Sequence, residues 1–446
     1  MKDNTFFLVS LGCAKNTVDA DSMATLLTQD GLIPVEKVSQ AKYLIVNTCG
    51  FILPAREESI AELKELSRTK KTGQFLLATG CLTQRYGKRI LEEVNGIDGI
   101  LGTRNWSNIL PMITRIRSEK PVKPYIDILP DIPVQMDYRE ISRTSTQGGS
   151  AYLKIADGCR RNCAFCAIPS IKGKNVSRPL EKILADARTL QAQGVKEINL
   201  ISQDTTDYGS DLGIKDGLAN LIGEICKSVP DVPWIRLLYA FPGFVSDLLI
   251  EKMAGLPQLL HYLDIPLQHA DPLVLKNMHR PSDIDWTVRT IEKMRNVMPD
   301  LAIRTTFIVG YPGEGEKEFK ALLDFVSEVK FDRVGVFPYS FETGTPAEHL
   351  GDPVPQEEKN SRVERLMLLQ QNISLAQNTR LIGKTIPVLI EGKDENYAIG
   401  RSYRDAPEID GLVFAEGDAD PGQIVPVRIT DAMVYDLVGK IANKSA

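Results

Sequence analysis

The sequence predicts an α/β protein in three parts: an N-terminal open parallel α/β sheet, a central partial (β/α)6 barrel, and a small all-β barrel at the C-terminus. Three observations predict it. Short apolar runs alternate with helix-like stretches over residues 1–118 and again from Ala151 to Pro338, the pattern of parallel strands covered on both faces. The second stretch holds six βα-type units, too few for a closed eight-stranded barrel. Beyond Arg380 the helical spacing stops, and short β runs separated by glycines and acidic turns take over, as in a small β-barrel. At 446 residues the chain has room for about two to four domains. Its hydrophobic fraction of 43% and charged fraction of 25% are those of an ordinary globular protein.

The first part, residues 1–118, begins with the run Phe6-Phe7-Leu8-Val9, followed by Tyr43-Leu44-Ile45-Val46 and Phe75-Leu76-Leu77-Ala78, with helix-like stretches such as Ala55 to Ser67 between them. Cys13, Cys49 and Cys81 each lie just beyond the carboxyl end of one of these strands. Open parallel sheets bind ligands at that edge, so three cysteines far apart in sequence can form one three-thiolate site. The alternative is three ordinary buried thiols, since cysteine is a common core residue. Residues 119–148 read as a linker, punctuated by Pro121, Pro124, Pro130 and Pro133 and closed by a polar, glycine-containing run.

The central part, residues 149–380, opens with the strand Tyr152-Leu153-Lys154-Ile155, which leads into Asp157-Gly158-Cys159-Arg160-Arg161-Asn162-Cys163-Ala164-Phe165-Cys166. Three thiolates at C-x3-C-x2-C spacing on one loop can converge on one metal centre. Iron–sulfur clusters usually take four cysteines, so a trio without a nearby fourth ligand suggests a cluster with one open iron, able to bind a substrate or cofactor. A structural zinc site, which wants four N/S ligands, and three buried thiols are the alternatives. Strands Glu197–Ser202, Ile235–Tyr239, His261–Pro266, Ala302–Val309 and Arg333–Pro338 follow, each after a helix. Function in such barrels collects at the carboxyl ends of strands. That draws attention to Ser202, Gln203 and Asp204, with a helix N-cap as the alternative role of Asp204, and to Gln268 and His269, where a buried structural histidine is the alternative. Tyr339 and Glu342 are either mouth-lining or part of a solvated loop. Cys226, inside a helical pattern, reads as core.

Residues 356–380 read as a long amphipathic helix with Val363, Leu366, Leu369 and Ile373 at helical spacing. From Arg380 onward there are eight basic and eleven acidic residues, a net −3, and the whole chain carries −5. Such a balance gives no electrostatic footprint for a polyphosphate and favours a basic protein as partner. Arg401 and Arg404 remain available for a small positive face. The seven cysteines are odd in number, no signal-like stretch opens the chain, and no apolar run reaches 18 residues. The reading is a reducing cytoplasm, no disulfide framework and no membrane partner.

The C-x3-C-x2-C run with Phe165 before its last cysteine resembles the radical S-adenosylmethionine superfamily signature. The whole chain resembles the methylthiotransferase family. The carrying stretches are Leu11-Gly12-Cys13-Ala14-Lys15-Asn16, Asn47-Thr48-Cys49-Gly50 and Thr79-Gly80-Cys81 in the first part, and the C-terminal part is similar to a TRAM domain. Ile201-Ser202-Gln203-Asp204-Thr205-Thr206, Tyr262-Leu263-Asp264-Ile265-Pro266-Leu267-Gln268-His269-Ala270 and Asp405-Ala406-Pro407-Glu408-Ile409-Asp410-Gly411 resemble the branch that modifies a ribosomal protein. The resemblance implies a radical-SAM core over 149–380, an auxiliary-cluster domain over 1–118 and a TRAM domain over 381–446. It implies two 4Fe–4S clusters, on Cys159, Cys163 and Cys166 and on Cys13, Cys49 and Cys81. S-adenosylmethionine would act as methyl donor and as radical source, with Ser202, Gln203, Asp204, Gln268 and Gly310 among its contacts. The implied reaction adds a methylthio group to the β-carbon of an aspartate in small-subunit ribosomal protein number twelve, reached through the TRAM domain, with an electron donor such as flavodoxin. A tRNA adenosine methylthiotransferase is the second reading within the family, although tRNA is not the expected partner. An iron–sulfur electron-transfer or scaffold protein is the reading from a different class. Lys172-Gly173 stands where the family usually shows arginine–glycine. The charge survives there but the bidentate fork does not.

Overall fold

The computed structural model describes residues 3–119, 124–129, 132–134, 136 and 138–442. Pro121 and Pro130 of the expected linker, and Lys444 of the expected C-terminal domain, lie outside the described residues. The chain divides into two compact units. One comprises Met1–Ser145, Lys154–Lys182 and Glu342–Glu348, and the other Thr146–Leu153, Ile183–Phe341 and His349–Ala446. The loop of Cys159, Cys163 and Cys166 therefore packs with the N-terminal sheet, a grouping that chain order alone does not suggest.

The first unit is built on a six-stranded parallel sheet in the order Ile33–Pro34, Thr5–Ser10, Tyr43–Thr48, Phe75–Gly80, Gly99–Gly102, Tyr125–Asp127. Its central strands are continuous apolar runs because both faces are covered. Leu26, Leu27, Trp106 and Ile113 pack on one side, and Ile60, Leu63, Leu82 and Ile90 on the other. From Thr5–Ser10 the chain first adds a strand on one side and then crosses to the other. A crevice opens beyond strand ends at such a reversal. The last strand, Tyr125–Asp127, comes from the segment expected as linker.

The second unit contains a seven-stranded sheet in the order Thr144–Gln147, Ser150–Lys154, Glu197–Ile201, Trp234–Leu237, Leu259–Asp264, Ala302–Val309, Arg333–Pro338. Glu197–Ile201 through Arg333–Pro338 run parallel. Helices Gly217–Ser228, Asp247–Gly255, Ile284–Val297 and Glu316–Val329 intervene, close to their expected positions. Ser246 and Asp283 cap two of them, accepting hydrogen bonds from the amides of Leu249 and Trp286.

Helix Gln356–Thr379 forms as expected, but its buried spine is polar: Lys359, Arg362, Leu366, Gln370, Ser374 and Asn378. Val363, Leu369 and Ile373 are only half-buried. The spine docks by hydrogen bonds. Lys359 donates to the Tyr339 carbonyl, Gln370 to that of Phe331, Ser374 to that of Asp332 and Asn378 to that of Met433. Buried polar groups are tolerated where each finds such a partner.

The C-terminal segment closes into a five-stranded barrel in the order Thr385–Lys393, Tyr397–Ser402, Val413–Glu416, Leu437–Ile441, Ile424–Ala432, around Val388, Ile390, Val413, Val427 and Leu437. Residues 401–410 anchor it to five neighbouring strands of the seven-stranded sheet or the residues flanking them. Arg401 donates to Glu197, which Arg236 also holds, and Arg404 pairs with Asp332. Asp405 pairs with Arg333, and Asp410 with Arg304 and the Tyr262 hydroxyl. Arg401 and Arg404, which the sequence left available for a small positive face, are both buried in ion pairs.

Candidate functional site

The first thiol trio follows from register. Ser10 lies opposite Asn47 and Thr48 opposite Gly80, so three adjacent strands end level with one another. Cys13, Cys49 and Cys81 leave those ends together. Cys13 precedes helix Ala14–Gln29, and Cys81 begins helix Cys81–Tyr86. Gly12, at φ +93°, permits a close approach: a Cβ there would sit 2.8 Å from the Cys49 sulfur. The Ser59 hydroxyl accepts the Cys49 amide and donates to the Cys49 carbonyl, both at 2.9 Å. Asn16 ties the trio. Its amide donates to the carbonyls of Leu11 at 2.7 Å and Thr48 at 3.1 Å, and its Oδ1 lies 3.7 Å from the Cys81 sulfur. Burial pushes the Cys81 thiol up to about 12, against the pull of the Lys172 ammonium, and raises Cys49 as well. Metal binding here must displace those protons.

The second trio lies on a loop pinched at its neck. Ala156–Asp157 pairs antiparallel with Val176–Ser177, and the Cys159 amide donates to the Gly173 carbonyl at 2.9 Å. Gly158 has φ +75°, and a Cβ there would fall 2.1 Å from the Lys174 carbonyl, so only glycine fits. Helix Ile168–Lys172 follows the last cysteine, and Arg104 holds its carboxyl end by donating to the Ser170 and Ile171 carbonyls.

The two trios are neighbours. Cys81 packs against Ala167 and Ile171 of the second loop. Next to this contact is a cluster of charges that the sequence reading did not assemble: Asp19, Arg143, Lys154, Asp157 and Lys172, all buried. Burial alone would raise both carboxyls, but Lys154 and Lys172 outweigh it and hold Asp19 and Asp157 below the ordinary range. The available signals were Lys154 inside an apolar strand and the Lys172-Gly173 pair.

Among the described residues, no group of three or more His, Cys, Asp or Glu is drawn together closely enough to hold a metal ion. A four-iron cluster places iron and sulfide between its thiolates, so its ligands stand further apart than those of one ion. Three thiols at each place are the donor chemistry that such a group takes.

The remaining predicted residues belong to the second unit. Ser202 follows strand Glu197–Ile201. It is wholly buried, and its hydroxyl has no hydrogen-bond partner there. Gln203 beside it is half-buried. The Asp204 carboxylate does not cap the following turn; it accepts from the Thr206 hydroxyl. Gln268 has φ +76° and exchanges backbone hydrogen bonds with Thr306 and Ile308. Tyr239, at the end of a neighbouring strand and not singled out before, is also left-handed at φ +61°. Such strain in non-glycine residues clusters at functional sites. Gly310 has a structural reason to be glycine: φ is +73°, and a Cβ would meet Lys359 Cγ at 2.4 Å. Its amide donates to Glu314. His269 is buried, and its Nε2 has no hydrogen-bond partner there. Its Nδ1 accepts from the Asp271 amide at 2.9 Å, and its Nε2 lies 3.4 Å from Glu314. Tyr339 stacks edge-on against Tyr311, and Glu342 pairs with Arg85 and accepts from the Leu53 amide, so both are buried rather than solvated. Cys226 is core, as expected.

A Radical SAM superfamily model matches residues 153–326, a model of the uncharacterized protein family UPF0004 matches residues 5–102, and a TRAM domain model matches residues 382–442. Among solved structures, the radical S-adenosylmethionine methyltransferase TsrM from Kitasatospora setae, with cobalamin and a 4Fe–4S cluster bound, shares the fold. The TM-score is 0.57 at 15% identity, over 78% of this chain and 77% of that one. Fold and site together define a radical S-adenosylmethionine protein with a TRAM tail. Ribosomal protein uS12 methylthiotransferase RimO of Chloroflexus aurantiacus is 48% identical over 98% of this chain and 99% of its own. The corresponding proteins of Roseiflexus sp. and Synechocystis sp. are 45% and 43% identical, each over 99% of this chain and 98% of their own. The chain belongs to the RimO family of ribosomal protein uS12 methylthiotransferases.

Proposed function

We infer that the protein is a radical S-adenosylmethionine methylthiotransferase acting on ribosomal protein uS12, adding the group to the β-carbon of an aspartate. The observation that carries this reading is Cys81 of one trio packed against Ala167, the residue after Cys166 of the other, in a chain matched over nearly its whole length by relatives of that name. Cys159, Cys163 and Cys166 would hold a 4Fe–4S cluster, which when bound supplies the electron for reductive cleavage of S-adenosylmethionine. Cys13, Cys49 and Cys81 would hold a second cluster that carries the sulfur. Splitting the two tasks suits the chemistry, since breaking an unactivated C–H bond and delivering sulfur need different reagents, while the protein supplies orientation and electrostatics.

Ser202, with its buried unpaired hydroxyl, is the best supported of the proposed cofactor contacts; Gln203, Asp204, Gln268 and Gly310 complete them. The proposed division is an auxiliary-cluster part at 1–118, a radical core at 149–380 and a TRAM part at 381–446, with the connecting segment 119–148 lending strand Tyr125–Asp127 to the first sheet and Thr144–Gln147 to the second. The barrel's acidic balance suits a basic ribosomal protein better than tRNA. An electron donor such as flavodoxin and a cytoplasmic setting complete the proposal. No helix among the described residues is long and apolar enough to cross a membrane.

The test is incubation of the reconstituted protein with uS12, S-adenosylmethionine and a reductant without oxygen. A methylthio group on one aspartate of uS12 is expected, and cells lacking the chain should carry uS12 without it. Modification of tRNA with untouched uS12 would move the assignment to the adenosine-modifying enzymes.

A further inference from the structure

We propose that helix Ala14–Gln29 sets the spacing between the two cysteine trios, and that Asp19 is a positioning residue for methylthio transfer. The proposal rests on the two-cluster reading above. The helix begins directly after Cys13. Asn16 and Asp19 are one turn apart and so share a face, and both are buried.

Each of these residues grips one trio. Asn16 bonds the carbonyls of Leu11 and Thr48 and touches the Cys81 sulfur, while the Asn47 amide donates to the Asn16 carbonyl at 2.7 Å. Asp19 grips the other loop at both ends. Its Oδ2 accepts from Lys172 at 2.7 Å, at the end of the helix beyond Cys166. Its Oδ1 accepts from Lys154 at 2.6 Å, in the strand before Cys159, and from Arg143. Lys154 and Lys172 also reach Asp157 Oδ2 at 2.9 and 3.4 Å, and Asp157 Oδ1 accepts the Gly158 amide just before Cys159. Arg143 is fixed in turn over the Trp106 ring, 4.5 Å from its centroid.

One turn of helix thus bonds to the strand ends that carry the first trio and to both flanks of the second loop. In Asp19→Asn the side chain keeps its shape, but Arg143, Lys154 and Lys172 would lose the negative charge they share. The ties to Lys154 and Lys172 would slacken, and the Cys159 loop would shift relative to Cys81. Reaction rates respond steeply to such displacement: a misplacement of about 1 Å costs about a hundredfold.

The experiment compares wild type, Asp19→Asn and Asp19→Glu after anaerobic reconstitution. Four quantities are measured: iron per chain, 5′-deoxyadenosine formed, methylthio-uS12 formed, and the magnetic interaction between the two reduced clusters by electron paramagnetic resonance. Asp19→Asn is expected to keep wild-type iron and nearly wild-type 5′-deoxyadenosine. It should change the inter-cluster interaction and lose about a hundredfold in transfer. Asp19→Glu, which restores the charge, should recover most of both. Transfer at the wild-type rate, or an unchanged interaction, would overturn the proposal. So would parallel loss of iron and 5′-deoxyadenosine, which would make Asp19 a folding residue. If Asp19→Asn is insoluble, Lys172→Gln cuts the same tie and is read by the same outcomes. If wild type never modifies uS12, the functional reading fails, and the magnetic measurement still decides the spacing.

Discussion

Glu197 is wholly buried between Arg236 and Arg401. Burial alone would raise its carboxyl, but the two guanidiniums outweigh it and hold it down to about 2. A carboxyl whose folded value lies below its unfolded value stabilises the fold at neutral pH and loses that contribution as pH falls through the folded value. The shift is worth about 3 kcal/mol. Wild type should therefore exceed Glu197→Gln in urea stability at pH 7, and the gap should close between about pH 4.5 and pH 2. A gap that ignores pH would remove the ion pairs from the account. Gly310 offers a second test at this scale. Gly310→Ala combines a left-handed φ with a clash against Lys359, and should cost roughly 1–3 kcal/mol in chemical denaturation. In a double-mutant cycle with Lys359→Ala, which has its own cost through the lost bond to Tyr339, the coupling should report the steric part.

The C-terminal barrel has its own apolar core, yet its loop over 401–410 spends its charges on the seven-stranded sheet. Arg401→Met should cost about 3–5 kcal/mol, because Glu197 and Glu391 would each lose a buried partner. Lys440→Met, which breaks an exposed pair with Glu416, should cost far less, because solvent screens that pair. Equal costs would mean that the loop does not anchor the barrel. Expressed alone, residues 381–442 should lack a fixed conformation over 403–410, seen as sharp, poorly dispersed amide resonances for that loop. Substrate capture is therefore better sought with the whole chain than with the isolated barrel. The polar spine of helix Gln356–Thr379 belongs to the same scale: its partners are backbone carbonyls flanking strand Arg333–Pro338 and one in the barrel, at Met433, so an apolar pattern was not needed to dock it.

For the molecule as a whole, two three-cysteine sites should carry about eight iron atoms per chain after anaerobic reconstitution. Replacing Cys159, Cys163 and Cys166 should halve the iron and abolish 5′-deoxyadenosine formation. Replacing Cys13, Cys49 and Cys81 should halve the iron and spare that cleavage, but stop methylthio transfer. Iron that falls to nothing in either triple variant would show one shared site rather than two.

Much of this was legible in the sequence. Continuous apolar runs alternating with helices can only be a parallel sheet with both faces covered. In such a sheet the strand ends stand level, so Cys13, Cys49 and Cys81 were brought to one edge by their positions in the chain. The spacing of Cys159, Cys163 and Cys166 is likewise a local property. The charged residues were different. Lys172 meets Asp19 across 153 positions, and Arg401 meets Glu197 across 204. A charge within an apolar run has no local signature of its partner, since the Coulomb energy that makes it tolerable depends on distance in space and on exclusion of water. Those pairings, the placing of the second cysteine loop with the N-terminal sheet and the anchoring of the barrel were decided by tertiary structure alone, because only the packed fold brings the opposite charges together and removes the solvent between them.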